Sequence, residues 1–367
     1  MLTHTVLSVS ALAGGAALLL GVLWDAFETM ILARRVSRGV RVTTLFYRAT
    51  WRPWAAVARR RAPGRRRENF LTVYGPLSLV FLIALWAVSL VFAFALLHWG
   101  GGDEVAGPGG HGFWTTVYMS GTTLFTLGLG DVVPKTPFAK FLTVAETGTG
   151  FAFLALVISY LPVLSQAFSR REVSIALLDA RAGSPPTCSE LLRRHGLDGA
   201  PDALDALLAE WERWSAELLE SHISFPVLAF YRSQHDNQSW VAGLTTILDT
   251  CALVIAAVPE GPVRGARLTF AMARHAVADM CNVLGQRPRP PQPDRLPPSE
   301  LHRLRQTLEL AGVQLDAGEN AERQLGDLRA MYEGHVNALA ELLVMPLPRW
   351  VPPAPARDNW QMTGRLL

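Results

Sequence analysis

Charge is scarce in this sequence, and the scarcity is local. Charged residues make up 18% of its 367 positions, against roughly 25% in soluble domains. Residues 5–24 and 69–97 carry no charge at all, and residues 141–168 carry only Glu146. A helix needs about 20 apolar residues to cross a bilayer, so each run predicts a membrane helix. Cysteine is rare as well. Cys188, Cys251 and Cys281 are an odd number without metal-ligand spacing, which argues against a disulfide framework or a metal centre and fits a reducing compartment.

Acidic residues are missing from residues 34–67, where twelve arginines stand. The positive-inside rule places that loop in the cytoplasm, and the remaining topology follows. The N-terminus lies outside, the three helices run inward, outward and inward, and the C-terminal half is cytoplasmic. Arg170 and Arg171, directly after the third run, agree. The first ten residues hold no Lys or Arg and no convincing cleavage site follows, so the first run reads as a retained helix and not as a secretory signal.

Other absences narrow the function. There is no long internal repeat and no G-x-G-x-x-G fingerprint, which speaks against four fused pore units and against a nucleotide-binding regulatory domain. No serine, cysteine or carboxylate pair is arranged for catalysis, so the chain does not read as an enzyme and needs no cofactor. None of the membrane runs carries regularly spaced arginines, so voltage sensing is not expected. His222, His235 and Asp236, and further on His275, Asp279 and Cys281, fit no ligand spacing and are expected on helix surfaces or in a core.

What is present reads as an all-α membrane protein. An N-terminal transmembrane helix (1–33) is followed by a basic cytoplasmic or interfacial segment (34–68) and a two-helix membrane domain (69–171). A helical cytoplasmic domain (172–286), a proline-rich extended linker (287–299), C-terminal helices (300–345) and a proline-rich tail (346–367) complete the chain. The basic segment interleaves Arg with Trp and Phe, as an interfacial helix on anionic lipid does; its place between membrane helices argues against nucleic acid. Residues 240–259 are nearly long enough to span, but they contain Asp249 and read better as the core of a helix bundle. Leu325, Leu328, Tyr332, His335, Leu339 and Leu342 step by three and four, a short coiled-coil-like seam expected to pack within the subunit.

Between the second and third runs come a glycine-rich outer loop (100–112), a stretch over 113–125 too short to span, and "TLGLGD", Thr126 to Asp131. Non-helical backbone survives in a bilayer only where protein or water surrounds it. One copy flanked by two helices cannot enclose this segment, so several copies must assemble around it. Gly128 and Gly130 can take positive φ at little cost, which lets successive carbonyls turn toward one axis. Rings of such oxygens could replace a cation's water shell, whose uncompensated loss costs on the order of tens of kcal/mol. The preceding short helix would aim the negative end of its dipole at the membrane centre, and Leu127 and Leu129 would pack outward to hold the glycines.

The segment resembles the pore loop of the potassium channel superfamily, with its Thr-Val-Gly-Tyr-Gly-Asp signature, and is similar to the second pore loop of two-pore-domain channels, Thr-Ile-Gly-Leu-Gly-Asp. "GDVVPKTPFAKFLTVAETGTGFAF" likewise resembles prokaryotic channels, in which such a run leads into a pore-lining helix. The likeness covers residues 70 to about 169. It implies the pore-loop fold of outer helix, pore helix, filter and inner helix, a homotetramer, and K⁺ as the permeant ion. It also implies ion ligands from the carbonyls of Thr126, Leu127, Gly128 and Leu129 and the Thr126 hydroxyl, with Gly130 and Asp131 completing the filter at its outer mouth. Gly150, or else Gly148, matches the inner-helix hinge, and Phe151 and Ala155 would line the cavity.

Leu129 departs from the usual Tyr or Phe, whose hydroxyl, when Tyr, braces the filter, so a softer filter that still prefers K⁺ is expected. Glu146, an acid inside a membrane helix, is expected one turn from Gly150, bonding Thr122 or Thr123 as support or modulating gating. Asp25 and Glu28 are expected to pair with Arg34 and Arg35. The expectation is a passive potassium channel of a bacterial inner membrane, with an unknown regulatory ligand for its cytoplasmic half. The rivals are a weakly selective cation channel and a membrane-tethered sensor or scaffold with a vestigial pore.

Overall fold

The computed structural model describes residues 2–32, 42–102, 112–195, 201–234, 237–259 and 261–352. Regular structure among them is helical: α1 (Leu2–Met30), α2 (Val42–Arg59), α3 (Arg65–Gly100), α4 (Phe113–Leu124), α5 (Pro137–Ala182), α6 (Cys188–His195), α7 (Pro201–Ser224), a 3-10 turn (Pro226–Phe230), α8 (Trp240–Ala257), α9 (Val263–Val283), α10 (Pro298–Glu309), α11 (Glu319–Ala330) and α12 (Glu333–Leu343). The chain divides into two compact units, Met1–Pro53 with Pro76–Ser165 and Trp54–Gly75 with Gln166–Leu367. Helices α2, α3 and α5 run through the division, and each carries an internal proline near it, Pro53, Pro76 and Pro162. Each proline removes one N–H from the helical ladder, yet all three helices continue.

In the first unit α1 is not a separate domain. A Cβ on Gly15 would lie 2.8 Å from the carbonyl oxygen of Ala93, and one on Gly100 would lie 2.8 Å from that of Ser8. The absence of side chains at both points lets α1 and α3 touch backbone to backbone. Buried Asp25 ties three helices, accepting from the Thr43 hydroxyl of α2 (2.7 Å) and the Trp86 indole of α3 (3.0 Å). Glu28 accepts from the Trp24 indole (2.7 Å). The arginine partners expected for these acids, Arg34 and Arg35, lie outside the described residues, as does most of the glycine-rich outer loop.

The second unit is built around α8. Among the described residues four helices are long and apolar enough to cross a membrane, but 89% of the apolar window of α8 is buried inside the protein, against 17% in α1 and α5 and 50% in α3. Helices α6, α7, α9, α11 and α12 pack about it, so residues 240–257 form the core of a bundle. Its one charge, Asp249, is fully buried and satisfied: Arg295 donates to both carboxylate oxygens (3.1 and 2.5 Å) and the Tyr332 hydroxyl donates to one (2.5 Å). Glu333 joins through Arg295 at 3.2 Å.

That cluster corrects two expectations. Residues 287–299 are not a spacer, because Leu296 is buried, the Arg295 side chain is only 8% exposed and the Arg289 N–H donates to the Gly334 carbonyl at 2.8 Å. Residues 172–286 and 300–345 are therefore one body, joined by the described start of the tail, where Trp350 and Val351 are buried. The seam from Leu325 to Leu342 is also interrupted: α11 ends at Ala330, α12 begins at Glu333, and Tyr332 between them leaves helical geometry to reach Asp249. The three cysteines are free and buried, and burial pushes the Cys281 thiol up to about 12. No group of side chains suited to a metal ion occurs among the described residues; His235 and Asp236 lie outside them.

Candidate functional site

The site begins with α4, twelve residues without a charge. Thr116, Met119, Ser120 and Leu124 form its buried face. The helix ends in a paired closure: the N–H of Thr126 donates to the Thr123 carbonyl (3.0 Å) and that of Leu127 to the Thr122 carbonyl (2.8 Å). This is the Schellman arrangement, whose left-handed residue is ordinarily glycine. Here it is Thr126, with φ 57°, a β-branched residue in a region where such residues are outliers. The strain is of order 1–2 kcal/mol. A threonine retained at that cost points to a role for the residue itself.

The left-handed conformation then recurs at every second position. Gly128 has φ 57° and Gly130 φ 75°, and no atom lies within 4 Å of where a Cβ would stand on either. Space is not what demands glycine there; backbone handedness is. Thr126 through Asp131 are all exposed on the single chain, with Leu127 at 63% and Leu129 at 61%. Among the described residues these leucines stay largely uncovered, so the packing expected to hold the glycines is not made by the described part of the subunit. At the far end Asp131 is held to the pore helix, its carboxylate accepting from the Tyr118 hydroxyl at 2.9 Å. Leu129 has no hydroxyl to brace the segment, and Tyr118, reaching from the helix side, supplies a tie that the sequence reading did not find.

The inner helix meets the pore helix at two points one turn apart. At the first, Glu146 bonds Ser120, not Thr122 or Thr123; Thr122 spends its hydroxyl on the Met119 carbonyl (2.9 Å). Glu146 also faces Nε2 of His98 on α3 at 3.3 Å, and all three side chains are fully buried. Ser120 further bonds the Val91 carbonyl of α3 at 2.8 Å. At the second point, a Cβ on Gly150 would sit 2.0 Å from the Leu124 carbonyl oxygen. Gly150 is the place where the end of the pore helix rests directly on the inner-helix backbone.

Gly148 faces open space, and α5 is one uninterrupted helix through both glycines, so the requirement visible at Gly150 is close packing. Phe151 (69% exposed) and Ala155 share an uncovered face of α5 with Leu154 and Ile158. His98 and Ser120 escaped the sequence reading. Their only trace in sequence is a single histidine near the end of the apolar run of α3 and one hydroxyl among the five of Ser and Thr in α4.

Residues 79–164 match the family described as ion channel. Over 202 residues the chain is 25% identical to an uncharacterized membrane protein, YdjJ, of Bacillus subtilis strain 168, and the similarity spans 52% of this chain and 56% of that protein. No solved structure matches. With α3, α4, the TLGLGD segment and α5 in this order and geometry, residues 79–164 are an ion-channel pore domain of the prokaryotic potassium-channel type.

Proposed function

We propose that the protein is a homotetrameric potassium channel of a bacterial inner membrane, conducting K⁺ passively through a filter formed by Thr126, Leu127, Gly128, Leu129, Gly130 and Asp131 of four copies. The observation that carries this reading is the alternation of left-handed backbone at Thr126, Gly128 and Gly130. Alternating handedness is what turns consecutive carbonyls to one side of an extended segment, and four such segments around an axis make stacked oxygen rings in place of hydration water. The exposed Leu127 and Leu129 support assembly, since such side chains in a pore loop need neighbouring subunits to cover them. Phe151 and Ala155 then line the cavity below, with the C-terminal end of α4 adding its negative dipole toward a cation there.

In this reading the arginines of residues 34–67 lie against anionic lipid at the cytoplasmic face. The C-terminal half, from residue 172 on, is cytoplasmic and receives a regulatory ligand of unidentified chemistry. Leu129 favours a less stringent filter, so weaker discrimination against Na⁺ is the second reading. Purified protein in vesicles separates these from a vestigial pore. Potassium flux from wild type, abolished by Gly128→Ala because a Cβ opposes φ 57° there, is the expected result. Equal K⁺ and Na⁺ flux supports the weakly selective channel, and no flux from wild type overturns both.

A further inference from the structure

A carboxylate sealed inside a membrane helix is expensive to keep and calls for a function. Glu146 is fully buried, and its partners come from two other helices: His98 of α3 through Oε2 and Ser120 of α4 through Oε1. Its placement relative to the filter follows from helix geometry. Residues four apart lie on one face of a helix. On α5 the pair is Glu146 and Gly150, and on α4 it is Ser120 and Leu124. The two contacts are therefore in step. Gly150 lets the backbone of Leu124 come into contact, and Glu146 holds Ser120 one turn back. Leu124 is two residues from the strained Thr126, so sliding or rotation of α4 passes directly into the first ring of the filter.

The hydrogen count says which chemistry is needed. The Ser120 hydroxyl owns one proton and faces two acceptors, the Val91 carbonyl and Glu146. A neutral amide at position 146 would satisfy every member: its carbonyl accepts from His98, its NH₂ donates to Ser120, and Ser120 donates to Val91. An aliphatic residue would offer nothing to His98 or Ser120 and would leave only the bond from Ser120 to Val91.

We infer that Glu146 is a positioning residue for the selectivity filter, latching the pore helix through Ser120 to the outer helix at His98 and Val91. The inference rests on the potassium-channel reading. Its test is the bi-ionic reversal potential with K⁺ on one side and Na⁺ on the other, recorded for the full chain reconstituted in bilayers.

Glu146→Ala and Ser120→Ala should each raise the permeability of Na⁺ relative to K⁺ by about tenfold, the effect of losing one net hydrogen bond, while Glu146→Gln stays close to wild type. A residue that merely keeps the protein folded would change the number of active channels and leave the reversal potential alone. Should Glu146→Ala fail to assemble, Ser120→Ala, which removes a single oxygen, decides the matter. Wild-type reversal potentials in the Ala variants, or a Gln variant as impaired as the Ala one, overturn the latch. A wild-type protein without K⁺ preference overturns the reading beneath it instead.

Discussion

At Gly150 a single methyl group decides whether two helices can meet. In an exposed helix interior, alanine is favoured over glycine by about 1 kcal/mol, and at Gly148, where nothing lies within 4 Å, Gly148→Ala should be neutral or slightly stabilising. Gly150→Ala must push the pore helix away, because its Cβ would meet the Leu124 oxygen at 2.0 Å. We expect it to abolish potassium flux and lower the midpoint of thermal unfolding, whereas a hinge at Gly148 would reverse the order of the two variants. The sequence showed both glycines and their helix. It could not show which one faces a neighbouring carbonyl, since that depends on how two helices cross.

His222 makes a second prediction at this scale. Its Nδ1–H donates to the Leu218 carbonyl (2.8 Å) and its Nε2 accepts from the Arg171 guanidinium (3.3 Å), so the buried ring is neutral. Burial, and after it the Arg171 charge, push its pKa down to about 3. The unfolded chain takes up this proton near pH 6.5, the folded one only near 3, so stability falls as pH drops through that window, by about 2 kcal/mol between pH 6.5 and pH 5. Thermal unfolding in detergent should shift downward over that range, and His222→Gln should flatten the shift. An equal slope in the variant would remove His222 from the account.

At the scale of elements, the proline-rich stretch 287–299 teaches the most. Its composition reads as an extended spacer because proline and glycine rules are local, whereas the contacts of Arg295 reach Asp249, 46 residues away, and Pro348. Arg295→Ala leaves Asp249 buried without its counter-charge, which should cost about 3–5 kcal/mol. Replacing Asp249 and Arg295 together by Leu and Met should recover most of that loss, and denaturant unfolding followed by tryptophan fluorescence measures both. A double variant no better than the single one would contradict the pairing.

The broken seam has a similar lesson, for the three-and-four spacing from Leu325 to Leu342 was real. The helix nevertheless stops at Ala330 so that Tyr332 can turn inward. Because α11 and α12 cover α8, deleting residues 300–367 should expose that apolar helix and give an aggregated species on size exclusion. A monodisperse truncated particle would show that the remaining bundle stands alone.

At the scale of the whole molecule, the membrane character was legible because bilayer thickness sets a length that composition alone reveals. The pore loop was legible for a related reason: its chemistry is carried by backbone handedness within six consecutive residues. The extra span-length helix, α8, could be told from its membrane counterparts only weakly in sequence, through Asp249, and clearly in structure, through 89% burial against 17% in α1 and α5 and 50% in α3. The support behind the filter was the least legible part, since His98, Ser120 and Glu146 come from three helices and meet only in the fold.

The uncovered leucines of the filter segment and the open face of α5 with Phe151 and Ile158 are where neighbouring copies belong in the proposed assembly. An experimental density map of the purified protein in potassium-containing buffer tests this most directly. The expected map shows four copies around one axis, carbonyl oxygens of Thr126 to Leu129 facing it, and ion density between successive rings. A monomeric particle, or carbonyls turned away from a shared axis, would contradict it.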